Sequence, residues 1–170
     1  MDLKQFIEDV PDFPKPGVTF KSISPLLADK SAFRTAVHDI QRKWRTHANC
    51  IVALDARGFI FGGGLAFMSG WPLFLARKKG KLPPPTHEIK YDLEYGSAEL
   101  AMEQWEFTSD DRILIVDDVL ATGGTAAAAA HLVEKAGGTV AGFAFVIELG
   151  PHNGRTKLKG KPVQSLLIYE

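Results

Sequence analysis

The sequence predicts an α/β fold in which helices cover both faces of a central, mostly parallel sheet. Two short runs, residues 50–54 and 113–116, are wholly apolar, as is typical of strands covered on both faces. Helical patterns alternate with such strands along the chain. After the second run, two carboxylates and a glycine- and threonine-rich loop lead into an alanine-rich helix, residues 126–135. These observations together favour strand–loop–helix units.

Composition fits one domain and excludes several classes of protein. Lys plus Arg and Asp plus Glu number 20 each among 170 residues, so no net charge favours nucleic-acid binding. The sequence contains no apolar stretch of membrane-spanning length and no N-terminal signal-peptide pattern. Cys50 is the only cysteine, which agrees with a reducing compartment, and its apolar surroundings favour a place in the core. We therefore predict a single cytoplasmic domain over residues 1–170.

The N-terminal segment combines a helix with irregular structure. Helical spacing predicts a short amphipathic helix from four apolar residues, Leu3, Phe6, Ile7 and Val10. Prolines and a glycine in residues 11–17 then interrupt regular structure. Phe20 follows, and it is either an anchor in the core or a platform that stacks on a flat ligand. From the residues alone, the anchor is favoured.

A second helix, a buried strand and an apolar helix follow in order. Four apolar residues at helical spacing predict the second helix: Phe33, Val37, Ile40 and Trp44. After the strand at residues 50–54, a helix rich in glycine runs to Met68, and its glycines require a closely packed neighbour. Arg57 lies between this strand and helix, where open α/β sheets bind ligands. It suits bidentate phosphate binding, although a surface salt bridge is an equal alternative.

A strand at residues 71–76 leads into a basic, proline-rich connection that extends to about Gly96. Residues 77–81 contain four cations, and prolines follow at 83–85. Connections of this length are commonly lids or binding loops, although a solvated basic loop is the simpler alternative. Within a basic lid, Glu94 becomes a candidate for proton transfer. Alternation over residues 98–103 predicts a half-exposed strand, and a hairpin with the lid is compatible with it.

Residues 113–125, with the sequence ILIVDDVLATGGT, carry the most specific chemistry. The glycines allow close approach of backbone to an anion, and the following helix start favours negative charge. Carboxylates repel phosphate but suit ribose hydroxyls or a bridging Mg²⁺. Neither a P-loop nor a dinucleotide-binding glycine pattern is present. The segment therefore predicts a sugar-phosphate site, near the strand ends at Leu54, Ala76, Asp118 and Glu148. Strands at residues 140–149 and 166–169, separated by a polar turn, complete the sheet.

This segment resembles the phosphoribosyl pyrophosphate (PRPP) signature of the type I phosphoribosyltransferases. Further segments resemble the members of that family that act on adenine, namely residues 12–25, 55–59, 77–82 and 93–96. The resemblance implies the type I phosphoribosyltransferase fold, with an N-terminal hood (about residues 1–30) and a flexible lid (about residues 77–100). It also implies purine salvage: transfer of the phosphoribosyl group of PRPP to N9 of adenine, giving AMP and pyrophosphate, with Mg²⁺ and in a homodimer.

The resemblance also assigns roles to residues. Glu94, supported by Tyr95, would handle the proton, and Asp117 and Asp118 would hold the ribose hydroxyls and, through PRPP and water, Mg²⁺. The 5′-phosphate would bind Ala121, Thr122, Gly123, Gly124 and Thr125. Pyrophosphate would bind Asp55, Ala56, Arg57, Gly58, Arg77, Lys78 and Lys81, with Arg77 reaching the partner subunit's site and a cis peptide at Asp55-Ala56. Adenine would bind Val18, Thr19, Phe20 and Lys21, with Phe20 stacked on the base.

One departure from the family pattern leaves alternatives open. Adenine enzymes commonly have Phe-Arg-Asp in the hood, whereas this chain has Phe20-Lys21-Ser22. Lysine keeps the charge but loses the planar fork of arginine. The alternatives are an enzyme for another purine and a non-catalytic PRPP-binding regulator. A regulator would be expected to lack Glu94 or the lid cations, and the sequence has both.

Overall fold

Seven strands form one mixed sheet, which confirms the predicted α/β class. The computed structural model describes residues 1–92, 96–158 and 160–170. The strands are β3 Cys50–Leu54, β4 Leu73–Lys78, β5 Thr86–Asp92, β6 Ser97–Glu103, β7 Arg112–Leu120, β8 Thr139–Leu149 and β9 Val163–Tyr169. The sheet has the order β5-β6-β4-β3-β7-β8-β9. The strands β4, β3, β7, β8 and β9 are parallel to one another, β6 is antiparallel to β4, and the edge strand β5 is antiparallel to β6.

Helices cover both faces of this sheet. The helices are α1 Ser24–Ala28, α2 Lys30–Trp44, α3 Gly58–Ser69 and α4 Gly124–Lys135. Alternate residues of β3 separate two cores: Ile51 joins the core under α2 and α3, while Val52 joins the core under α4. Both faces of the central strands are therefore buried, which explains their wholly apolar sequences.

The second predicted helix is confirmed as α2. Asp29 caps it, because its carboxylate accepts hydrogen bonds from the backbone amides of Ser31 and Ala32 at 2.9 and 2.8 Å. Three of the four apolar residues that predicted the helix are buried, and Phe33 packs against them at the edge of the core. Cys50 lies in the core as predicted, and burial raises the pKa of its thiol to about 11.

The glycines of α3 allow this helix to approach the sheet closely, as the sequence required. A Cβ added at Gly62 would lie 2.6 Å from the Cβ of Ala53 in β3. One added at Gly64 would lie 3.1 Å from Val37 of α2. Gly63 has open space instead, so it is not needed for packing in the described part of the chain.

The predicted N-terminal amphipathic helix is wrong beyond its first turn. A 3-10 helix spans Leu3–Phe6, and the chain then forms strand β1, Glu8–Val10. This strand pairs antiparallel with β2, Phe20–Ser22, and Val10 lies opposite Phe20. Backbone pairing with a segment ten residues away therefore overrides the local helical period.

The basic segment after β4 is shorter as a loop than the sequence suggested. Strand β4 extends through Lys78, and β5 and β6 form an antiparallel hairpin in which Thr86 lies opposite Glu103. Strand β6 also pairs with β4, so this hairpin continues the main sheet. Glu94 and Tyr95 lie outside the described residues. Within the described parts of the chain, no helix is long and apolar enough to cross a membrane.

Candidate active site

The predicted site residues of three segments meet in one groove at the carboxyl ends of β3 and β7. This groove is lined by Asp55, Ala56, Arg57, Asp117, Asp118, Val119 and Ala121. Parallel strands deliver their carboxyl ends to the same edge, so segments far apart in sequence become neighbours. The structure thereby brings the two residues assigned to ribose together with three of those assigned to pyrophosphate, Asp55, Ala56 and Arg57. The Asp55-Ala56 peptide is cis, as the family resemblance suggested.

The acidic pair lies within β7, whereas the sequence placed it at the end of the strand. Strand β3 pairs with β7 only as far as Val116, but the longer strand β8 pairs with it to Leu120. Asp117 and Asp118 therefore lie where β7 has lost one neighbour and kept the other. One edge of their backbone is open to the groove while the other remains fixed by the sheet.

Asp117 is held against the first turn of α3. Its Oδ1 accepts a 2.8 Å hydrogen bond from the backbone amide of Asp118. A Cβ added at Gly58 would lie 2.9 Å from this Oδ1 and 2.8 Å from the carbonyl oxygen of Val116, so only glycine fits there. Burial, followed by the charge of Asp118, raises the pKa of Asp117 well above its ordinary value.

Asp118 faces Arg57 across the groove. The side chain of Asp118 is only 6% exposed, and its Oδ2 lies 2.5 Å from Nε of Arg57, which is 43% exposed. The guanidinium of Arg57 is therefore the charged partner of this buried carboxylate. Burial raises the pKa of Asp118, and the charge of Arg57 opposes this shift. A ligand hydroxyl that binds Asp118 would share or replace this contact with Arg57.

The loop after β7 forms a polar cavity of about 100 Å³. Helix α4 begins at Gly124, so Gly124 and Thr125 belong to its first turn and their amides stay free of helical partners. Gly123 precedes the helix with φ of +75°, a conformation that favours glycine. The helix therefore starts two residues earlier than predicted, and it directs its N-terminal amides into the cavity, where an anion is favoured.

Two contacts around this cavity escaped the sequence analysis. The hydroxyl of Tyr91 in β5 lies 3.2 Å from Oγ1 of Thr125, which links the hairpin to the start of α4. Gly154 packs with its backbone against Ala121 and Gly123, with no room for a side chain. A polar turn rich in glycine was visible in the sequence, but no local pattern shows which loop it contacts.

The lid cations differ in their surroundings. Arg77 donates from Nε to Asp55 Oδ2 at 3.1 Å, within its own chain, and from Nη1 to the carbonyl of Lys81 at 3.2 Å. Lys78 and Lys81 are exposed. Lys79, which was not assigned to pyrophosphate, lies within 3.0 Å of Glu88 and 2.7 Å of Glu99. The assigned cations therefore border the groove or face solvent, while Lys79 links the strands of the hairpin.

Phe20 lies beside the groove rather than in the core. It belongs to neither buried cluster of the described residues, so the anchor interpretation is wrong. Its ring meets Phe13 edge to face at 5.3 Å, and the guanidinium carbon of Arg57 lies 5.1 Å from its centroid. Val18 and Thr19 precede it at the surface.

The side chain of Lys21 does not accompany Phe20. Its Nζ lies 2.7 Å from Asp9 and 4.2 Å from the ring centroid of Tyr169. Neighbouring residues of a strand point to opposite sides, which explains the separation. A base beside Phe20 would therefore meet the backbone of Lys21 rather than its ammonium group.

We expect Asp117→Asn to stabilise the ligand-free protein at neutral pH. Since the folded state raises the pKa of Asp117, the stability that this carboxyl provides is lost as the pH rises through the folded pKa. The asparagine variant avoids that loss. Its melting temperature should exceed that of the wild type by roughly 2–4 °C, which corresponds to about 1 kcal/mol in a domain of this size.

Thermal denaturation at several pH values tests this prediction. The difference should vanish as the pH falls below the unfolded-state pKa of 3.8, because the carboxyl is then protonated in both states. Asp110→Asn, at an exposed position in a turn, is the matched control and should show no such pH-dependent gain. A neutral-pH melting temperature below that of the wild type would contradict the prediction.

Comparisons with known proteins agree in fold and sequence over nearly the whole chain. Residues 23–167 match the family model of the phosphoribosyl transferase domain. An adenine phosphoribosyltransferase of Salinispora tropica is 50% identical over 94% of this chain and 85% of its own length. One of Synechococcus is 43% identical over the whole of both chains.

Solved structures show the same similarity. The adenine phosphoribosyltransferase of Thermoanaerobacter pseudethanolicus superposes with a TM-score of 0.93 at 40% identity, over 99% of this chain and 98% of its own. The Saccharomyces cerevisiae enzyme, solved with an imino-altritol bisphosphate and adenine, gives 0.90 at 34% identity, over 98% and 97% of the two chains.

Proposed function

Because the chain belongs to the phosphoribosyltransferase family, we propose that it transfers the phosphoribosyl group of PRPP to N9 of adenine, releasing pyrophosphate and forming AMP in purine salvage. Relatives that span its full length are adenine phosphoribosyltransferases. The observation that carries the proposal is the arrangement of the groove, in which an acidic pair lies between a phosphate-sized cavity and Arg57.

The sugar phosphate would lie between the acidic pair and the loop after β7. Asp117 and Asp118 would accept hydrogen bonds from the ribose hydroxyls, which supply donors to the buried oxygens. The 5′-phosphate would enter the cavity of residues 121–125 and accept hydrogen bonds from the amides at the start of α4. The hydroxyls of the sugar would thus face the acidic pair, and its phosphate would face the anion-binding amides.

The pyrophosphate would lie beside Arg57. Its departure leaves positive charge on the sugar and places negative charge on the leaving group. When ribose hydroxyls bind Asp118, the guanidinium of Arg57 would be released to pair with the leaving group, together with Arg77, Lys78 and Lys81 of the lid. Asp55, Ala56 and Gly58 would shape the backbone of this subsite.

The residues present are suited to hold Mg²⁺ that is bound to the phosphates of PRPP. In the described residues, no cluster of three or more His, Cys, Asp or Glu could hold a metal alone. Asp117 and Asp118 both line the groove, and Mg²⁺ commonly combines one or two carboxylates with water and substrate phosphates. Bound in this way, Mg²⁺ would neutralise charge that develops on the pyrophosphate.

Adenine would stack on Phe20, whose ring borders the groove without belonging to either core. Backbone groups of Val18, Thr19 and Lys21 would then contact the edge of the base. This arrangement does not depend on the side chain at position 21, so we propose that replacement of the family's Arg-Asp pair leaves adenine specificity intact.

Glu94→Gln is expected to lower turnover by about 10²–10⁴-fold, the usual contribution of a general acid or base. Glu94 lies outside the described residues, and its role as the proton acceptor from N9, with Tyr95 in support, rests on the family resemblance. Affinity for PRPP should change little, because the phosphate and ribose contacts remain. Steady-state kinetics together with calorimetric titration of PRPP separate these effects, and unchanged turnover would remove Glu94 from the mechanism.

We also propose that the chain acts as a single cytoplasmic domain and as a homodimer, without nucleic-acid or membrane partners. The hood contains the β1–β2 pair, and the lid contains the β5–β6 hairpin. Helix α3 exposes apolar side chains, and Phe67 in its last turn is 94% exposed. A second copy would cover this surface and bring its Arg77 near the groove. Sedimentation of a species of only 18.6 kDa would contradict the dimer.

Nucleotide formation from PRPP and Mg²⁺ tests the proposed function directly. Adenine, hypoxanthine, guanine and xanthine are offered separately, and we expect AMP from adenine alone. Turnover of another base instead would support the PRPP site but would show that the hood selects a base other than adenine. PRPP binding without turnover of any base would favour the regulator, and absence of PRPP binding would overturn the proposal as a whole.

A further inference from the structure

An ion pair between buried Glu148 and half-exposed Arg155 lies behind the loop of residues 121–125, outside the groove. Glu148 is 7% exposed at the end of β8. Arg155 donates from Nε to its Oε1 and from Nη2 to its Oε2, both at 2.7 Å. Ser165 of β9 donates to Oε2 at 2.5 Å, and Nη1 of Arg155 lies 3.5 Å from the carbonyl of Val163. The pair therefore fixes the turn that carries Arg155 to the last two strands of the sheet.

The residue before Arg155 contacts the phosphate-binding loop directly. Gly154 is buried, and a Cβ at this position would collide with the carbonyl oxygen of Ala121 and lie 2.9 Å from Leu120. In return, a Cβ at Gly123 would collide with the carbonyl oxygen of Gly154. The backbones of the two loops thus touch without intervening side chains, so a displacement of one must displace the other.

We propose that Arg155, fixed by Glu148, is a positioning residue for the loop of residues 121–125, and that it sets the affinity for the 5′-phosphate. This inference rests on the proposed function, because it assumes that the loop binds the phosphate of PRPP. Arg155 does not touch the cavity itself. It holds Gly154 against Ala121 and Gly123, so that the amides at the start of α4 already point into the cavity before PRPP binds.

The chemistry of the pair suits a rigid support. A guanidinium presents two parallel N–H groups to a carboxylate, which fixes direction as well as distance. The hydrogen bonds from Arg155 lower the pKa of Glu148, so the pair remains charged at neutral pH. A lysine would keep the charge but could not make both bonds in one plane. We therefore expect lysine to restore this support only in part.

Replacement of Arg155 by methionine tests the proposal. The KM for PRPP should rise by about 10- to 100-fold, as expected for loss of one well-placed hydrogen bond to a charged group. The KM for adenine should stay within about twofold, because Phe20, on which the base would stack, lies beside Arg57. That difference between the two KM values distinguishes positioning from general destabilisation. Titration with ribose 5-phosphate should show the same loss of affinity as PRPP. Arg155→Lys should give an intermediate KM for PRPP.

The matched control is Lys161→Met, which breaks a longer pair with Glu134 (3.9 Å). This variant should leave both KM values unchanged. If the wild type is active and Arg155→Met keeps its KM for PRPP, or raises both KM values equally, the inference is overturned. If Arg155→Met does not fold, an unchanged KM for PRPP in the lysine variant overturns it. An inactive wild type would instead overturn the proposed function.

Discussion

Replacement of Gly123 by alanine is expected to remove most of the affinity for PRPP. Gly123 has φ of +75°, and an added Cβ would meet the carbonyl oxygen of Gly154. The loop cannot keep its shape around that methyl group, so the amides of Gly124 and Thr125 would move away from the phosphate. Loss of two hydrogen bonds to a charged group corresponds to roughly 3–6 kcal/mol, or a rise in Kd of more than about 100-fold.

Gly70→Ala provides a matched control for this variant. Gly70 has nearly the same backbone conformation, with φ of +72°, but no atom lies within 4 Å of its added Cβ. An alanine at this position therefore lowers stability by the cost of a positive φ, about 1–2 kcal/mol, without a collision. We expect reduced stability in both variants and weakened PRPP binding only in Gly123→Ala, as measured by calorimetry. Equal PRPP affinity in the two variants would show that the loop tolerates the methyl group.

Replacement of both acidic residues, Asp117→Asn with Asp118→Asn, is expected to weaken PRPP binding by about 10²–10⁴-fold. Each carboxylate would lose a hydrogen bond to a ribose hydroxyl, and a bond to a charged group contributes roughly 1.5–3 kcal/mol. Direct titration of PRPP into the double variant measures the change.

Inorganic phosphate distinguishes a lost ribose contact from a damaged site. Asp117 borders the cavity of the phosphate loop, but the amides at the start of α4 that would bind the phosphate are not altered by the two substitutions. Phosphate affinity should therefore stay within about threefold of the wild type, a difference of about 0.7 kcal/mol. Unaltered PRPP affinity would defeat the assignment of the pair to ribose, and parallel loss of both ligands would indicate a distorted loop.

Local patterns were sufficient for much of the fold. The wholly apolar strands and the period of α2 are local in origin, because each depends on side chains within a few residues. The sugar-phosphate site that we predict at residues 113–125 also rests on a local motif, since the acidic pair, the glycines and the helix start are consecutive. Helical spacing of apolar residues gave a wrong prediction at the N-terminus, where Val10 pairs with Phe20 and the helix ends after one turn.

Other features depended on contacts that no local pattern records. Phe20 had two interpretations until the structure placed it beside Arg57, and Lys21 was separated from it by the alternation of strand β2. The exact extent of β7 was set by the length of β8, so the acidic pair moved from the strand's end to its interior. The ion pair of Arg57 with Asp118 likewise joins residues that are 61 positions apart.

The sequence by itself determined the fold class and the order of the central elements, and it is the source of the ligand that we propose, because these follow from apolar periodicity and from one continuous motif. Only the tertiary structure decided which loops support one another. Gly154 and Gly123 are both glycines in loops, and their mutual requirement for glycine appears only when the two backbones touch. Such contacts arise from close packing between distant segments, which neither residue's neighbours in the chain encode.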